Sequence, residues 1–168
     1  VVRLYVHLGI RDAVPIKTEG TFSWQGKADL EFYKKQFEAL FLERTIKEYD
    51  QKANVRVAEM TAPDYLKWAD ECIQHEEEYC DTMLDPSTRQ PLMDAVEQEL
   101  ITKRNQQIID KDTGLVHMVN NQLSDDLRLL YRCFSRREAN LTCIVEQMKA
   151  YIVETGKTIV EDKENIKD

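Results

Sequence analysis

Leu30-Glu-Phe-Tyr-Lys-Lys-Gln-Phe-Glu-Ala-Leu-Phe41 decides the fold class. Leu30, Tyr33, Phe37, Leu40 and Phe41 recur at steps of three and four, and Tyr49 continues the stripe. That spacing lines up one face of an α-helix. From Lys27 to Ala58 no Gly or Pro interrupts it. Roughly 30 residues rising about 1.5 Å each make a rod of about 45 Å, longer than a compact small domain is wide. An elongated architecture is therefore expected.

Downstream the same periodicity returns. Thr61 precedes Ala62, Pro63 and Asp64, a hydroxyl N-cap followed by an early proline and a first-turn carboxylate. Tyr65, Leu66, Ala69, Cys72, Ile73, Cys80, Met83 and Leu84 then form a second stripe, which Glu76 interrupts. Asp85-Pro86-Ser87-Thr88 stops that helix and caps the next, whose face is Leu92, Met93, Val96, Leu100, Ile101, Ile108 and Ile109. Gly114 ends it, and Leu115, Met118 and Val119 make a short apolar turn. Ser124 is expected to cap a helix that buries Leu127, Leu130, Tyr131 and Phe134. Asn140 precedes a last stripe of Leu141, Ile144, Val145, Met148 and Ile152, which Gly156 weakens, and Glu161–Asp168 is a charged, fraying end. Upstream, Val1–Ile10 fits a helical face or an alternating strand, and the helical context favours helix. Arg11–Gly26 holds Pro15, Gly20 and Gly26 without a sustained period and is expected to be a connector.

About six helices, short connections and no convincing strand define an all-α, elongated bundle. The expected organisation is 1–26 as the end of a preceding helical repeat with its connector, 27–160 as one repeat, and 161–168 as a charged end. The chain opens at Val1 without an initiator Met or a signal-like stretch, so it is expected to be a piece of something longer.

Composition removes several functions. Lys+Arg 23 against Asp+Glu 31 leaves a net charge of −8, the wrong sign for a phosphate-backbone binder, so no nucleic-acid partner is expected. No apolar run is long enough for a membrane span, and the acidic or mixed polar faces disfavour a surface-bound helix. Cys72, Cys80, Cys133 and Cys143 include no C-x-x-C pair and are expected to be free, buried thiols. His75-Glu-Glu-Glu-Tyr79 starts like a helical zinc motif, but Tyr79 stands where the second His belongs; a solvated acidic face is the expectation. Asp125 and Asp126 are adjacent on a helix, diverge, and serve as caps. Cys72, three residues from His75, is expected to pack in the core. Lys34-Lys35, Lys103-Arg104 and Arg136-Arg137 have acidic neighbours and are expected to be solvated surface. No residue is assigned as catalytic, cofactor-binding or metal-binding, and no cofactor is expected.

Ordered strings carry the rest. Asp126-Leu-Arg-Leu-Leu-Tyr-Arg-Cys-Phe-Ser-Arg136 closely resembles the D-L-x-x-M-Y-x-L-x-S-R stretch of the cullin family. Tyr33 to Leu42, with Thr45 and Tyr49, resembles the cullin Y-x-x-x-F-E-x-x-F-L-x-x-T-x-x-Y-Y helix. Asp64-Tyr-Leu-Lys67 followed by Glu76-Glu-Glu78 is similar to its Y-[ML]-x-K-A-E…E-E helix, and Leu84-Asp-Pro-Ser-Thr88 to its Y-L-H-x-S-T connector. Gly114-Leu115 sits at the family's break, and Val1–Gly9 resembles V-x-x-Y-V-x-L-G. Three departures stand out: Arg104 and Asn105 replace the usual His-Leu, Asn140 stands where a Gly commonly precedes Leu, and Arg136-Arg137-Glu138 shortens that turn.

The resemblance implies stacked helical repeats in a stalk that scaffolds a multisubunit ubiquitin ligase of the cytoplasm and nucleus. It implies a non-catalytic role, with the other cullin repeats of the parent chain as direct partners. Adaptor, substrate receptor and RING-box protein would be indirect ones. The alternative reading is a helical-rod tethering subunit of a vesicle-docking complex. In the stacked-repeat reading each repeat presents an apolar edge to its neighbour, so this piece should expose one near Val1–Ile10 and another near Ile152–Val160.

Overall fold

The computed structural model describes residues 10–18, 21–28 and 30–165, with side chains from residue 30 to 161. The helix-or-strand question at Val1–Ile10 falls almost wholly outside the described residues. The elements are β1 (Ile10–Thr18), β2 (Thr21–Ala28), α1 (Glu31–Tyr33), a π-helical turn (Lys34–Glu38), α2 (Ala39–Glu59), α3 (Ala62–Met83), a 3-10 turn (Pro86–Thr88), α4 (Arg89–Leu100), a second 3-10 turn (Thr102–Arg104), α5 (Asn105–Ile109), α6 (Leu115–Asn120), α7 (Ser124–Phe134) and α8 (Glu138–Asn165). The all-α class holds. It carries one addition.

That addition corrects the connector expected at 11–26. β1 and β2 pair antiparallel from Ile10↔Ala28 to Thr18↔Thr21, with a register shift between Arg11 and Val14. Val14, Ile16 and Thr18 alternate, as do Phe22 and Trp24, a two-residue period masked by Pro15 and Gly26. In a two-stranded ribbon both strands are edges, so a proline that donates nothing is tolerated at Pro15.

The chain divides into two compact units. The first holds residues 1–48 and 73–96. Its buried apolar side chains are Tyr33, Ile73, Cys80, Leu92, Met93 and Val96, with Glu38 and Thr88 buried among the polar ones. Here the long stripe is corrected. Leu40 is 56% exposed and Glu38 is buried. The π turn explains both. It takes an extra residue per turn, so the buried face steps from Tyr33 to Glu38, five residues on, instead of four. Asp85 caps the 3-10 turn as expected, its Oδ1 accepting from Ser87 N at 3.0 Å.

The second unit holds residues 49–72 and 97–168. Ala53, Tyr65, Leu66, Ala69, Leu100, Ile101, Ile108, Ile109, Leu115, Met118, Leu130, Cys133 and Phe134 are buried there. Thr61 caps α3, its Oγ1 accepting from Asp64 N at 3.3 Å and donating to Asp64 Oδ2 at 2.6 Å. Ser124 is not a cap. Leu123 precedes α7 without a side-chain cap bond. Gln122 adopts φ 53°, and Leu123 N–H reaches back to the Met118 carbonyl at 2.9 Å. This closes the turn in backbone, and Ser124 becomes the first helical residue. On α7 Leu130 and Phe134 are buried as expected, but Tyr131 is 61% exposed and Cys133 is fully buried in its place. α8 continues through Gly156 to Asn165.

Two glycines give opposite expectations. At Gly114, a Cβ would collide with the Ile109 carbonyl oxygen and lie 2.8 Å from those of Ile108 and Lys111. Gly114→Ala should cost about 1–3 kcal/mol in backbone rearrangement, read as a lower midpoint in urea. At Gly156 a Cβ meets nothing within 4 Å. Gly156→Ala should therefore stabilise α8 by about 0.5–1 kcal/mol, seen as greater helicity by circular dichroism.

Candidate functional site

Three motif residues meet in the first unit. Thr88 Oγ1 donates to Glu38 Oε2 at 2.6 Å and lies 2.8 Å from Tyr33 Oη. The π turn places Tyr33 and Glu38 on one side of their helix, and the Asp85 cap fixes Thr88 opposite them. All three are buried. Burial raises the Tyr33 hydroxyl above its ordinary range. Thr88 bridges a carboxylate and a phenol, which satisfies polar groups whose isolation would cost several kcal/mol. Sequence reading missed this because a lone Glu inside a helical stripe reads as surface.

A second polar cluster sits in the other unit and corrects the reading of Lys103-Arg104 as solvated surface. Arg104 is 3% exposed. Its Nη2 donates to Asp50 Oδ1 at 2.6 Å, the Asp50 carbonyl at 3.2 Å and Asn54 Oδ1 at 2.9 Å. Its Nη1 donates to the Glu99 carbonyl at 2.7 Å and approaches the Glu99 carboxylate at 3.5 Å. The backbone break between α4 and α5 turns Arg104 inward toward α2. The Arg104 guanidinium holds the Asp50 carboxyl below the usual carboxylate range. Arg136 and Arg137, also read as solvated, are half-buried and fork onto Glu97 at 3.3 and 3.4 Å. Asn140, another departure from the family pattern, is 1% exposed.

Asp70, buried on α3, receives Arg132 Nη2 at 2.6 Å. Beside this pair lies an open cavity of ≈ 390 Å³, lined on α3 by Lys67, Asp70 and Glu71 and on α7 by Asp125, Arg128 and Arg132. Three cations and three anions cancel there. Asp125 reaches Arg128 at 3.6 Å and is almost fully exposed.

The remaining residues considered for chemistry stay apart. His75 is 74% exposed at its side chain and lies 3.9 Å from Glu76, whose own side chain is 14% exposed. The acidic face is thus partly sheltered, not uniformly solvated. Among the described residues no group of three or more His, Cys, Asp or Glu side chains is placed to hold a metal ion. No described helix is long and apolar enough to cross a membrane.

All four cysteines are free, but only Cys80 and Cys133 are buried. Burial, with the Asp70 charge behind it, pushes the Cys133 thiol up to about 12. Cys133 instead donates weakly to the Leu66 carbonyl at 3.8 Å. Because the thiolate is the reactive form, Cys80 and Cys133 should resist iodoacetamide in the folded chain at pH 8 and label only on denaturation. Mass spectrometry would read this site by site; early labelling of Cys133 would contradict its placement.

Comparison with known proteins gives one family. A model described as the Cullin alpha solenoid domain matches residues 2–168. Cullin-3 of Dictyostelium discoideum is 29% identical over 137 residues, covering 81% of this chain and 18% of its own. Cullin-4A of Mus musculus is 32% identical over 141 residues, covering 84% of this chain and 18% of its own. Cullin-3A of Arabidopsis thaliana is 28% identical over 137 residues, covering 81% and 19%. The chain thus spans less than a fifth of the length of these relatives.

Proposed function

Because the chain belongs to the cullin family, we propose that it is a rigid scaffold segment of a multisubunit cullin-RING ubiquitin ligase. In this reading it spaces a substrate-receptor adaptor from the RING and E2 end and carries no bond chemistry itself. Residues 1–26 end one repeat, 27–160 form the next, and 161–168 are a charged end. Direct partners are the other repeats of the parent chain. Adaptor, substrate receptor and RING-box protein are indirect ones, in the cytoplasm and nucleus.

The observation that carries the reading is on α8. Val145, Ile152 and Ile159 repeat every seven residues and are 47%, 61% and 52% exposed, with Val153 and Val160 exposed beside them. A heptad-spaced stripe is the pattern of a helix that packs against another helix. Exposed in this chain, it fits the edge that one repeat presents to its neighbour. Tightly packed interiors resist bending, because bending opens voids. A stiff spacer acts by raising the effective concentration and orientation of the groups it holds. The vesicle-tether alternative has no such support, and the relatives reported above are cullins.

Two measurements test this. Full-length parent protein recovered from cells should bring a RING-H2 subunit with it; recovery of other rod subunits without any RING protein overturns the reading. Ile152→Asp should shift the stability of this chain by no more than about 0.5 kcal/mol, as exposed positions do. In the full-length parent it should lower the melting temperature by several degrees, because there the stripe is covered. An equal, small effect in both would remove the packing role of α8.

A further inference from the structure

We propose that Glu97 on α4 and Asn120 on α6 are positioning residues that together set the direction of α8. The helix has two halves of different character. From Asn140 to Tyr151 it is fastened to the second unit. Asn140 is buried, Leu141, Ile144, Met148 and Tyr151 are half-buried, and Cys143 Sγ donates to Gln106 Oε1 on α5 at 3.1 Å. From Ile152 to Glu161 every side chain except Thr155 is exposed. The second half is a cantilever, and its course is decided by what grips the first.

Two polar grips stand at the ends of the fastened half. At the corner between α7 and α8, one carboxylate takes two successive arginines. Glu97 Oε1 receives Arg136 Nη1 at 3.3 Å, and Oε2 receives Arg137 Nε at 3.4 Å. The Glu97, Arg136 and Arg137 side chains are 13%, 23% and 27% exposed, so water and salt screen the attraction weakly. Just past this fork the Asn140 N–H closes onto the Arg137 carbonyl at 3.1 Å as α8 begins. At the other end, Tyr151 Oη and Asn120 Oδ1 on α6 are hydrogen-bonded. Tyr151 lies about 14 residues beyond Arg137, and so about 21 Å farther along the axis. Apolar contacts between these points are non-directional and tolerate a tilt. A hydrogen bond and a forked ion pair have preferred geometry and resist one. Two such points fix a line. The use of that line rests on the scaffold reading, because a spacer orients its partners only if the helix leading onward keeps one bearing. Lys157 stands about 30 Å along α8 from the corner, so a tilt of about 10° carries it about 5 Å.

The test is a distance measured in the full chain by pulsed electron spin resonance. Nitroxides are attached to a ketone-bearing amino acid introduced at positions 107 on α5 and 157 on α8. Gln107 and Lys157 are both exposed, and the native thiols are left untouched. The doubly labelled chain should give one narrow distance. The double variant Glu97→Gln, Asn120→Ala should move that distance by about 5 Å or at least double its spread, with helicity retained by circular dichroism. Each single variant should show part of the change. Asn120 is exposed, so Asn120→Ala stays folded and decides the matter even where Glu97→Gln unfolds. Glu154→Gln, at an exposed carboxylate beyond both grips, should leave the distance where it was. The same distance in every variant, a broad distance before any change, or an equal shift in Glu154→Gln would each overturn the proposal. Recovery of a RING-H2 subunit tests the scaffold reading separately, so an unmoved distance leaves that reading standing.

Discussion

Leu130→Asp should abolish cooperative unfolding of the second unit. Leu130 is 2% exposed on α7, and Cys133 and Phe134, on the same helix face, are fully buried. A carboxylate there has no cation to meet and must either stay charged in an apolar medium or take up a proton. Loss of the leucine packing adds about 2–5 kcal/mol, as for other large core truncations. The combined effect exceeds about 4 kcal/mol, a large part of the stability of an ordinary domain. Thermal melting followed by circular dichroism should show a broad, early transition or none. The control is the next residue. Tyr131→Asp, at a position 61% exposed, should shift stability by about 0.5 kcal/mol or less. If the two variants melt alike, the buried face of α7 is misplaced.

Arg104→Met is the second large effect. It removes the donor that serves Asp50, Asn54 and Glu99 together. The Glu99 side chain is 4% exposed and, among the described residues, keeps Lys103 Nζ, at 2.6 Å, as its remaining ion-pair partner. Breaking one partner of a buried ion pair costs about 3–5 kcal/mol. Replacing both Arg104 and Glu99 by Met should recover much of that, since a buried pair exchanged for apolar packing is often neutral. A pH series adds an independent check. The folded-state pKa of Asp50 is depressed, first by the hydrogen bond from Arg104. Its contribution is therefore complete above the ordinary carboxylate pKa, about 3.9, and is lost as pH falls through the lower folded value. In Arg104→Met that contribution is missing at every pH, so the gap between the two proteins should narrow below about pH 4. A gap that is constant with pH would mean Arg104 acts by packing alone.

These two positions show what was legible. Leu92, Val96 and Leu100 are buried as their spacing required, because within α4 an unbroken helix converts spacing directly into direction. Ile101, Ile108 and Ile109 are buried too, although the 3-10 turn at Thr102–Arg104 breaks the single helix expected there. The stripe fails where the helix does. Leu40 points to solvent because the π turn before it slips the phase, and no propensity in Lys34–Glu38 announces a π turn. Arg104 reads as surface and Glu38 falls outside the apolar stripe because burial of a charged group depends on a partner about 50 residues away, Asp50 for one and Thr88 for the other. Pairing of that kind is tertiary information. The hairpin was missed for a different reason: Pro15 and Gly26 disrupt an alternation carried by three residues on β1 and two on β2.

The π turn at Lys34–Glu38 bears on how this chain is compared with its kin. One residue of an α-helix advances the chain by about 1.5 Å and swings it through about 100°. The wider turn at Lys34–Glu38 takes up one such residue. An alignment with a relative whose helix is regular there must open a single-position gap inside a helix, where gaps are usually forbidden. Forced to run gapless, it would leave the residues on one side of the turn about 100° out of phase with those they are paired with.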